Sequence, residues 1–142
     1  MANLGYVGLG AMGGNMTDLL MAKGHKVTGY NRTASKAEWL VKKGMTLAAS
    51  PKAVAQAADV IFVMVTNSAA DEAVMNGPDG LLAGMKAGTI VIDMSTVSPA
   101  VSRKLAESVR AKGGDMVDAP VSGSIGAPPR WTPARWMFGS SI

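Results

Sequence analysis

The sequence predicts an α/β fold in which a doubly wound, mostly parallel sheet is covered by helices. Short apolar segments alternate with helical segments from residue 3 to residue 118, and several helical segments stop at a glycine. This alternation indicates βαβ units with right-handed crossovers. One segment, Val60–Val65, is an uninterrupted apolar run, which is typical of a strand buried on both faces.

The individual elements follow from local patterns. The predicted strands are Asn3–Val7, Lys26–Tyr30, Thr46–Ala48, Val60–Val65, Thr89–Asp93 and Asp115–Asp118. The predicted helices are Met12–Lys23, Ser35–Lys43, Pro51–Ala57, Ala69–Met75, Leu81–Met85 and a segment from Pro99 to the glycine at 113. Ser50 and Ser98 each precede a proline, and this pair begins a helix because the hydroxyl caps the first turn and proline fits it. Gly24 and Gly44 end two other helices.

Length and composition limit the functional classes. The chain has 142 residues, of which 48% are apolar and 17% charged, as expected of one globular domain. It contains no cysteine, which excludes a disulfide framework, a thiolate nucleophile and a cysteine-ligated metal. The net charge of +4 comes from scattered basic residues, so we expect no nucleic-acid partner. There is no apolar run of transmembrane length and no signal peptide pattern, so we expect no membrane partner and a cytoplasmic location.

A glycine-rich loop connects the first predicted strand to the first predicted helix. It matches the pattern G-x-G-x-x-G and consists of Gly8, Leu9, Gly10, Ala11, Met12 and Gly13. The first glycine permits the sharp turn, the second lets the backbone approach a pyrophosphate, and the third lets the helix lie close to the strand. The N-terminus of the helix then offers N–H groups to the phosphates. The loop therefore predicts a Rossmann-type dinucleotide site, and the alternative is a purely structural glycine turn.

The end of the second strand indicates which dinucleotide is preferred. NAD-binding domains usually place an acid there, which binds the ribose hydroxyls. Here the strand is followed by Asn31, Arg32 and Thr33, with Lys36 nearby. A guanidinium at this position can pair with a 2′-phosphate, and Asn31 and Thr33 can donate hydrogen bonds to it. The sequence therefore predicts NADP as the cofactor, and the alternative is that Arg32 is a solvated loop residue.

Four motifs in order carry a more specific resemblance. They are Gly5–Gly13, Asn31–Thr33, Asp93–Pro99 and Asp118–Gly123. Together they resemble the N-terminal domain of the β-hydroxyacid dehydrogenase family, which includes 3-hydroxyisobutyrate dehydrogenase and tartronate semialdehyde reductase and is related to 6-phosphogluconate dehydrogenase. The resemblance covers residues 1 to 123. It implies hydride transfer between NADP and a small β-hydroxyacid or semialdehyde.

The resemblance also implies roles for single residues. Val65, Thr66 and Asn67 match the loop on the adenosine and ribose side of the cofactor, and Thr96 matches a residue near the nicotinamide ribose. Ser122 and Gly123 match the segment that binds the carboxylate of a small substrate.

Several polar residues have simpler structural explanations. Ser98 serves mainly as a helix cap, and Asp93 and Asp118 can simply terminate strands. The only histidine, His25, is expected to be structural or solvated. No cluster has metal-ligand spacing, and no residue is assigned as catalytic.

The family pattern breaks after Ser122 and Gly123. We therefore divide the chain into a nucleotide-binding domain, residues 1–125, and an atypical tail, residues 126–142, rich in proline, tryptophan and arginine. A shift of reading frame in GC-rich codons converts residues 126–136 into a sequence ending in the family's Ala-Gly-Thr-Leu. We therefore expect the tail to be a frameshifted or truncated end, which sequencing of the coding DNA tests.

In the family, a second, all-helical domain with the catalytic lysine follows this point, and these 142 residues contain no equivalent. We expect cofactor binding with weak or absent turnover, since the proton donor is missing. The surface that such a domain covers, together with the apolar tail, predicts a homodimer. Two alternatives remain: a non-catalytic NADP-binding interaction module, and the cofactor domain of an imine reductase.

Overall fold

The computed structural model describes residues 3–95 and 97–119, apart from the side chain of Ala11. Its strands are β1 Asn3–Val7, β2 Lys26–Tyr30, β3 Thr46–Leu47, β4 Val60–Val63, β5 Ile90–Asp93 and β6 Asp115–Asp118. They form one sheet in the order β3-β2-β1-β4-β5-β6, and every neighbouring pair is parallel. The predicted doubly wound α/β fold is therefore confirmed. The strand order reverses between β1 and β4, which is where such sheets bind ligands.

The helices connect successive strands. They are α1 Ala11–Ala22, a 3₁₀ helix Ala34–Ala37, α2 Glu38–Val41, α3 Pro51–Ala57, α4 Ser68–Met75, α5 Leu81–Gly84 and α6 Pro99–Ala111. Both predicted serine caps are present: Ser50 Oγ accepts from Ala53 N at 3.2 Å, and Ser98 Oγ accepts from Val101 N at 3.3 Å. These caps satisfy backbone donors that the first turn would otherwise leave without partners. None of the helices in the described part of the chain is long and apolar enough to cross a membrane.

The two faces of the sheet are covered differently. On one face, α3 to α6 pack against inward side chains of all the longer strands, with Val54, Leu81 and Leu105 fully or almost fully buried. On the other face, α1 and α2 contribute Met16 and Leu40 to a second cluster over β1 and β2. The first helices therefore cover only the half of that face on which the glycine loop lies.

The second half of that face carries apolar side chains that are only partly covered. We call it the open sheet face, and its members are Val60, Phe62, Ile90, Ile92 and Val117. Ile90 is 40% exposed, and Phe62 stacks on Tyr6 with ring centroids 5.6 Å apart. The expectation that Val60–Val65 is buried on both faces is therefore wrong for this chain, because burial alternates along β4.

Two predicted elements differ in form from the sequence-based expectation. The helix predicted over Ser35–Lys43 is a 3₁₀ helix followed by a single α-helical turn, with the junction at Ala37. Ala37 and Leu40, three residues apart across this junction, are both fully buried. The strand predicted over Val60–Val65 ends at Val63 because Ser95 Oγ, not a strand partner, accepts a hydrogen bond from Val65 N at 2.9 Å. The other boundaries differ from the predicted ones by no more than two residues.

Candidate functional site

The predicted binding residues lie in loops at one edge of the sheet. Because all strands are parallel, the loops that follow β1, β2 and β4 emerge at the same, carboxyl-terminal edge. Gly8 follows β1, Asn31 follows β2, and Met64 follows β4. The backbone joins these loops directly, since Gly8 N donates to Tyr30 O and Met64 N donates to Val7 O, both at 2.9 Å. The fold thus brings the glycine loop, the Arg32 loop and the Val65 loop together at the switch point.

The three motif glycines have different physical reasons for being glycine. Gly8 has φ of +98°, and a Cβ there would overlap the carbonyl oxygen of Met64. A Cβ on Gly13 would overlap the carbonyl oxygen of Gly8, so this glycine allows α1 to lie against the loop. A Cβ on Gly10 would meet no protein atom within 4 Å. Gly8 and Gly13 are therefore required by the fold, whereas Gly10 leaves an open space.

That open space lies at the N-terminus of α1. Gly10 is the N-cap residue, no side chain caps the helix, and its first turn contains no acid. The first bond that closes the helix runs from Gly14 N to Gly10 O at 2.7 Å, so the N–H groups of Ala11, Met12 and Gly13 precede the helical ladder. Uncapped N–H groups and the positive end of the helix dipole favour an anion. This cradle fits a pyrophosphate.

Leu9 and Asn31 have structural roles that the sequence did not reveal. The Leu9 side chain is 2% exposed and belongs to the core. Its backbone N–H donates to Asn31 Oδ1 at 3.1 Å, and Asn31 Nδ2 donates to Thr33 O at 2.9 Å. The amide of Asn31, which was expected to donate to a 2′-phosphate, is thus engaged with the protein through both its oxygen and its nitrogen.

The cationic residues of the same loop face solvent. Arg32 and Thr33 are exposed immediately after Asn31, and Lys36 is exposed in the 3₁₀ helix that follows. Between Asn31 and Ala37 there is no acidic residue. Within residues 31–37, a negatively charged group that extends from the glycine loop across the end of β2 would therefore meet two cations and no carboxylate.

The loop after β4 is fixed to its neighbours. Val65 is half-buried and held through its N–H by Ser95, and Thr66 is exposed. Asn67 is the N-cap of α4, and its Oδ1 accepts from Ala70 N at 2.8 Å. Its side chain therefore stabilises the helix, and contact with a ligand is left to the exposed atoms of the loop. Three further predicted residues, Thr96, Ser122 and Gly123, lie outside the described residues.

Three acids, Asp71, Asp93 and Asp118, form a cluster near this loop that the sequence did not reveal. Asp71 of α4 and Asp93 at the end of β5 are both 0% exposed. Apart from a hydrogen bond between the two carboxyl groups, neither Asp71 oxygen nor Asp93 Oδ2 has a hydrogen-bond partner among the described residues. The pKa of Asp71 is raised to about 9, mainly by burial and then by the hydrogen bond and charge of Asp93 and the charges of Asp118 and Glu72. The raised pKa favours the protonated form of the Asp71 carboxyl, which can donate to Asp93.

Asp118, a third acid near Asp93, also has a raised pKa. Burial and then the charge of Asp93 raise the pKa of Asp118, while the nearby Ser102 hydroxyl lowers it. Asp93 Oδ1 also accepts from Ser95 N at 3.0 Å, so Asp93 satisfies a loop N–H just after its strand. Within residues 3–95 and 97–119, no group of His, Cys, Asp and Glu could hold a metal ion.

Comparison with known families and sequences agrees with this geometry. Residues 3–129 match the family described as the NAD binding domain of 6-phosphogluconate dehydrogenase. The 2-(hydroxymethyl)glutarate dehydrogenase of Eubacterium barkeri is 42% identical over 120 residues, which are 84% of this chain and 40% of that protein. The cytokine-like nuclear factor N-PAC of Xenopus tropicalis is 36% identical over 121 residues, 85% of this chain and 23% of that protein. The chain thus spans less than half the length of these relatives.

Solved structures show the same fold. Psf3 in complex with NADP+ and 2-OPP has a TM-score of 0.80 and 34% identity, over 86% of this chain and 43% of that one. The 3-hydroxyisobutyrate dehydrogenase of Mycobacterium tuberculosis with L-serine has a TM-score of 0.81 and 29% identity, over 88% and 42%. An imine reductase of Streptomyces aurantiacus has a TM-score of 0.71 and 31% identity, over 80% and 39%.

Proposed function

Because the chain belongs to the family of NAD-binding domains of 6-phosphogluconate dehydrogenase, we propose that it is the NADP(H)-binding domain of a β-hydroxyacid dehydrogenase-type oxidoreductase. The observation that carries this proposal is the uncapped N-terminus of α1 beside an exposed arginine. The N–H groups of Ala11, Met12 and Gly13 bind the pyrophosphate, and Arg32 binds the 2′-phosphate. When bound, NADPH supplies the hydride, and the residues of this chain orient it.

We propose that each part of the cofactor lies against a different loop at this edge of the sheet. The pyrophosphate lies over Gly10, where no protein atom competes for the space. The adenosine ribose extends toward the loop after β2, where charge-assisted hydrogen bonds from a guanidinium favour a phosphate over a hydroxyl. The loop from Val65 to Asn67 closes the site on the side of β4. Thr96 serves the nicotinamide ribose, and Ser122 and Gly123 serve the substrate carboxylate.

Turnover depends on groups beyond these loops. Hydride transfer requires that the carbonyl carbon and the nicotinamide be held together while a proton reaches the oxygen. The chain covers 40% of the Eubacterium barkeri relative, and the resemblance gives none of these 142 residues the role of the catalytic lysine. We therefore expect these 142 residues to bind NADPH and to show weak or no oxidation of it with a semialdehyde. The cytoplasmic location stays a prediction.

An imine reductase cofactor domain is a second candidate. The Streptomyces aurantiacus imine reductase shares 31% identity and the fold. Both candidates use the same cofactor loops, so the two differ only in the substrate. NADPH absorbance followed with a semialdehyde and with a cyclic imine, each in the presence of a complementing second domain, separates them.

Arg32→Ala should weaken NADPH binding by about tenfold or more and leave NADH binding unchanged, because only NADPH carries the 2′-phosphate. A lost charge-assisted bond of about 1.5–3 kcal/mol corresponds to this factor. Titration of both dinucleotides measures it. Arg103→Ala is the matched control, since Arg103 is an exposed arginine on α6 and not in the loop after β2. Equal affinity of the wild type for NADPH and NADH would remove the assignment of Arg32.

A homodimer belongs to the same proposal. A second copy covers the open sheet face, where Ile90 and Phe62 leave apolar surface in contact with water. Light scattering should give a mass that rises toward that of a dimer with concentration, and Ile90→Glu should return it to the monomer mass. A monomer mass for the wild type at high concentration would contradict the dimer and leave the cofactor proposal intact.

A further inference from the structure

Asn31 connects the two loops to which the cofactor proposal assigns the phosphates. Its Oδ1 accepts a hydrogen bond from Leu9 N at 3.1 Å, across a sequence separation of 22 residues. Its Nδ2 donates to Thr33 O at 2.9 Å, within its own loop. The side chain is half-buried between them. One short carboxamide therefore ties the glycine loop to the loop that carries Arg32.

On the side of the glycine loop, the hydrogen bond from Leu9 N to Asn31 Oδ1 determines which N–H groups remain available to an anion. Gly8 N donates to Tyr30 O and Leu9 N donates to Asn31 Oδ1, so two successive N–H groups are held by the end of β2. The loop cannot turn these two N–H groups toward a ligand. Its conformation therefore leaves the N–H groups at the start of α1 as the anion donors, and Asn31 determines how they are presented.

On the side of the Arg32 loop, the hydrogen bond from Asn31 Nδ2 to Thr33 O closes a turn that has Arg32 at its centre. Residues 31 and 33 are joined by the carboxamide, and Arg32 is the single residue between them. A turn closed in this way restricts the backbone of its central residue. The direction in which the guanidinium leaves the loop is therefore determined by the same side chain that holds Leu9.

We propose that Asn31 is a positioning residue that couples the pyrophosphate cradle to the 2′-phosphate site through its hydrogen bonds to Leu9 N and Thr33 O. This inference rests on the proposed function. The role requires one acceptor and one donor on a short side chain, which asparagine supplies. Aspartate supplies only the acceptor and adds a negative charge next to the 2′-phosphate, and alanine supplies neither group.

The test titrates NADPH and NADH against the wild type, Asn31→Ala and Asn31→Asp. Asn31→Ala should weaken the binding of both dinucleotides by about fivefold or more, which corresponds to about 1 kcal/mol. It should also reduce the preference for NADPH. Asn31→Asp should keep NADH affinity within about threefold of wild type and lose NADPH binding, since it retains the bond to Leu9 N. Asn76→Ala is the control, because Asn76 is an exposed asparagine after α4.

A ligand-free measurement separates this inference from the proposed function. Hydrogen exchange of the Leu9 amide should be slow in the wild type and in Asn31→Asp, and fast in Asn31→Ala. An unchanged exchange rate in Asn31→Ala, or a loss confined to NADPH with NADH binding intact, would overturn the coupling role. Failure of the wild type to bind either dinucleotide, with the exchange pattern as expected, would overturn the proposed function and, with it, the coupling of phosphate sites.

Discussion

Replacing Gly13 with alanine should destabilise the domain by about 2 kcal/mol or more, although alanine is normally the better helix residue. A Cβ at this position would overlap the carbonyl oxygen of Gly8 and approach the Tyr6 ring to 3.1 Å. Because the obstacle is the backbone of the glycine loop, the side chain cannot avoid it by changing rotamer. Either α1 moves away from β1 or the loop changes its turn, and urea unfolding measures the cost.

The same substitution at Gly10 is the matched comparison and should give the opposite pattern. Gly10 has φ of −69° and ψ of −168°, which any residue adopts, and its Cβ would meet no protein atom within 4 Å. We expect stability to change by less than about 1 kcal/mol. NADPH affinity should fall by about tenfold or more, because the Cβ occupies the space through which the backbone approaches the pyrophosphate.

The two variants test different claims. If the Gly13→Ala variant unfolds like the wild type, α1 can move away from the loop without a loss in the free energy of unfolding. Gly10→Ala that binds NADPH as tightly as the wild type would place the anion somewhere other than the N-terminus of α1. The pair therefore separates a glycine required by packing from a glycine required by a ligand.

The fold could be predicted because its signals are local. The last strand was predicted over Asp115–Asp118, and the structure has it with the same bounds. Ser50 and Ser98 located two helix starts by the chemistry of their hydroxyls. The glycine loop was recognisable since its spacing reflects a strand, a turn and a helix in immediate succession.

The features that the sequence did not reveal depend on distant contacts. The bond from Leu9 N to Asn31 joins residues that only the parallel pairing of β1 and β2 brings together. Val65 leaves β4 because Ser95, thirty residues later, accepts from its N–H. In the sequence, Asp71 looks like an ordinary acid in the first turn of a helix. Its burial against Asp93 becomes visible only when α4 is placed on the sheet.

Replacing Asp71 with asparagine should stabilise the domain by an amount that grows with pH. In the folded protein the pKa of Asp71 is raised from 3.8 to about 9, first by burial and then by Asp93. Between these pH values the folded chain holds a proton that the unfolded chain releases. The free energy of unfolding therefore falls as pH rises, by up to about 1.4 kcal/mol per pH unit from this group. The stability that protonated Asp71 contributes to the wild type is fully present below about pH 4 and is lost as pH rises through about 9.

Asparagine keeps the shape and a donor while removing this proton linkage. Its amide donates to Asp93 as the protonated carboxyl does, and it presents no charge to Asp118 or Glu72, the other acids that raise the pKa of Asp71. We expect Asp71→Asn to gain roughly 2 to 5 kcal/mol over the wild type at pH 8 and much less near pH 5. Urea unfolding from pH 5 to about pH 9.5 measures the difference.

The control is a carboxylate on the surface. Asp59 is 64% exposed and lies 3.4 Å from Lys86 Nζ, so Asp59→Asn should change stability by less than about 1 kcal/mol at every pH. A constant difference between Asp71→Asn and the wild type across the same pH range would mean that Asp71 is ionised in the fold. The ionised Asp71 would then need a hydrogen-bond donor at its two oxygens, and the described residues supply none. A difference that widens with pH instead requires a shared proton, and that proton joins α4 to the end of β5 beneath the proposed cofactor site.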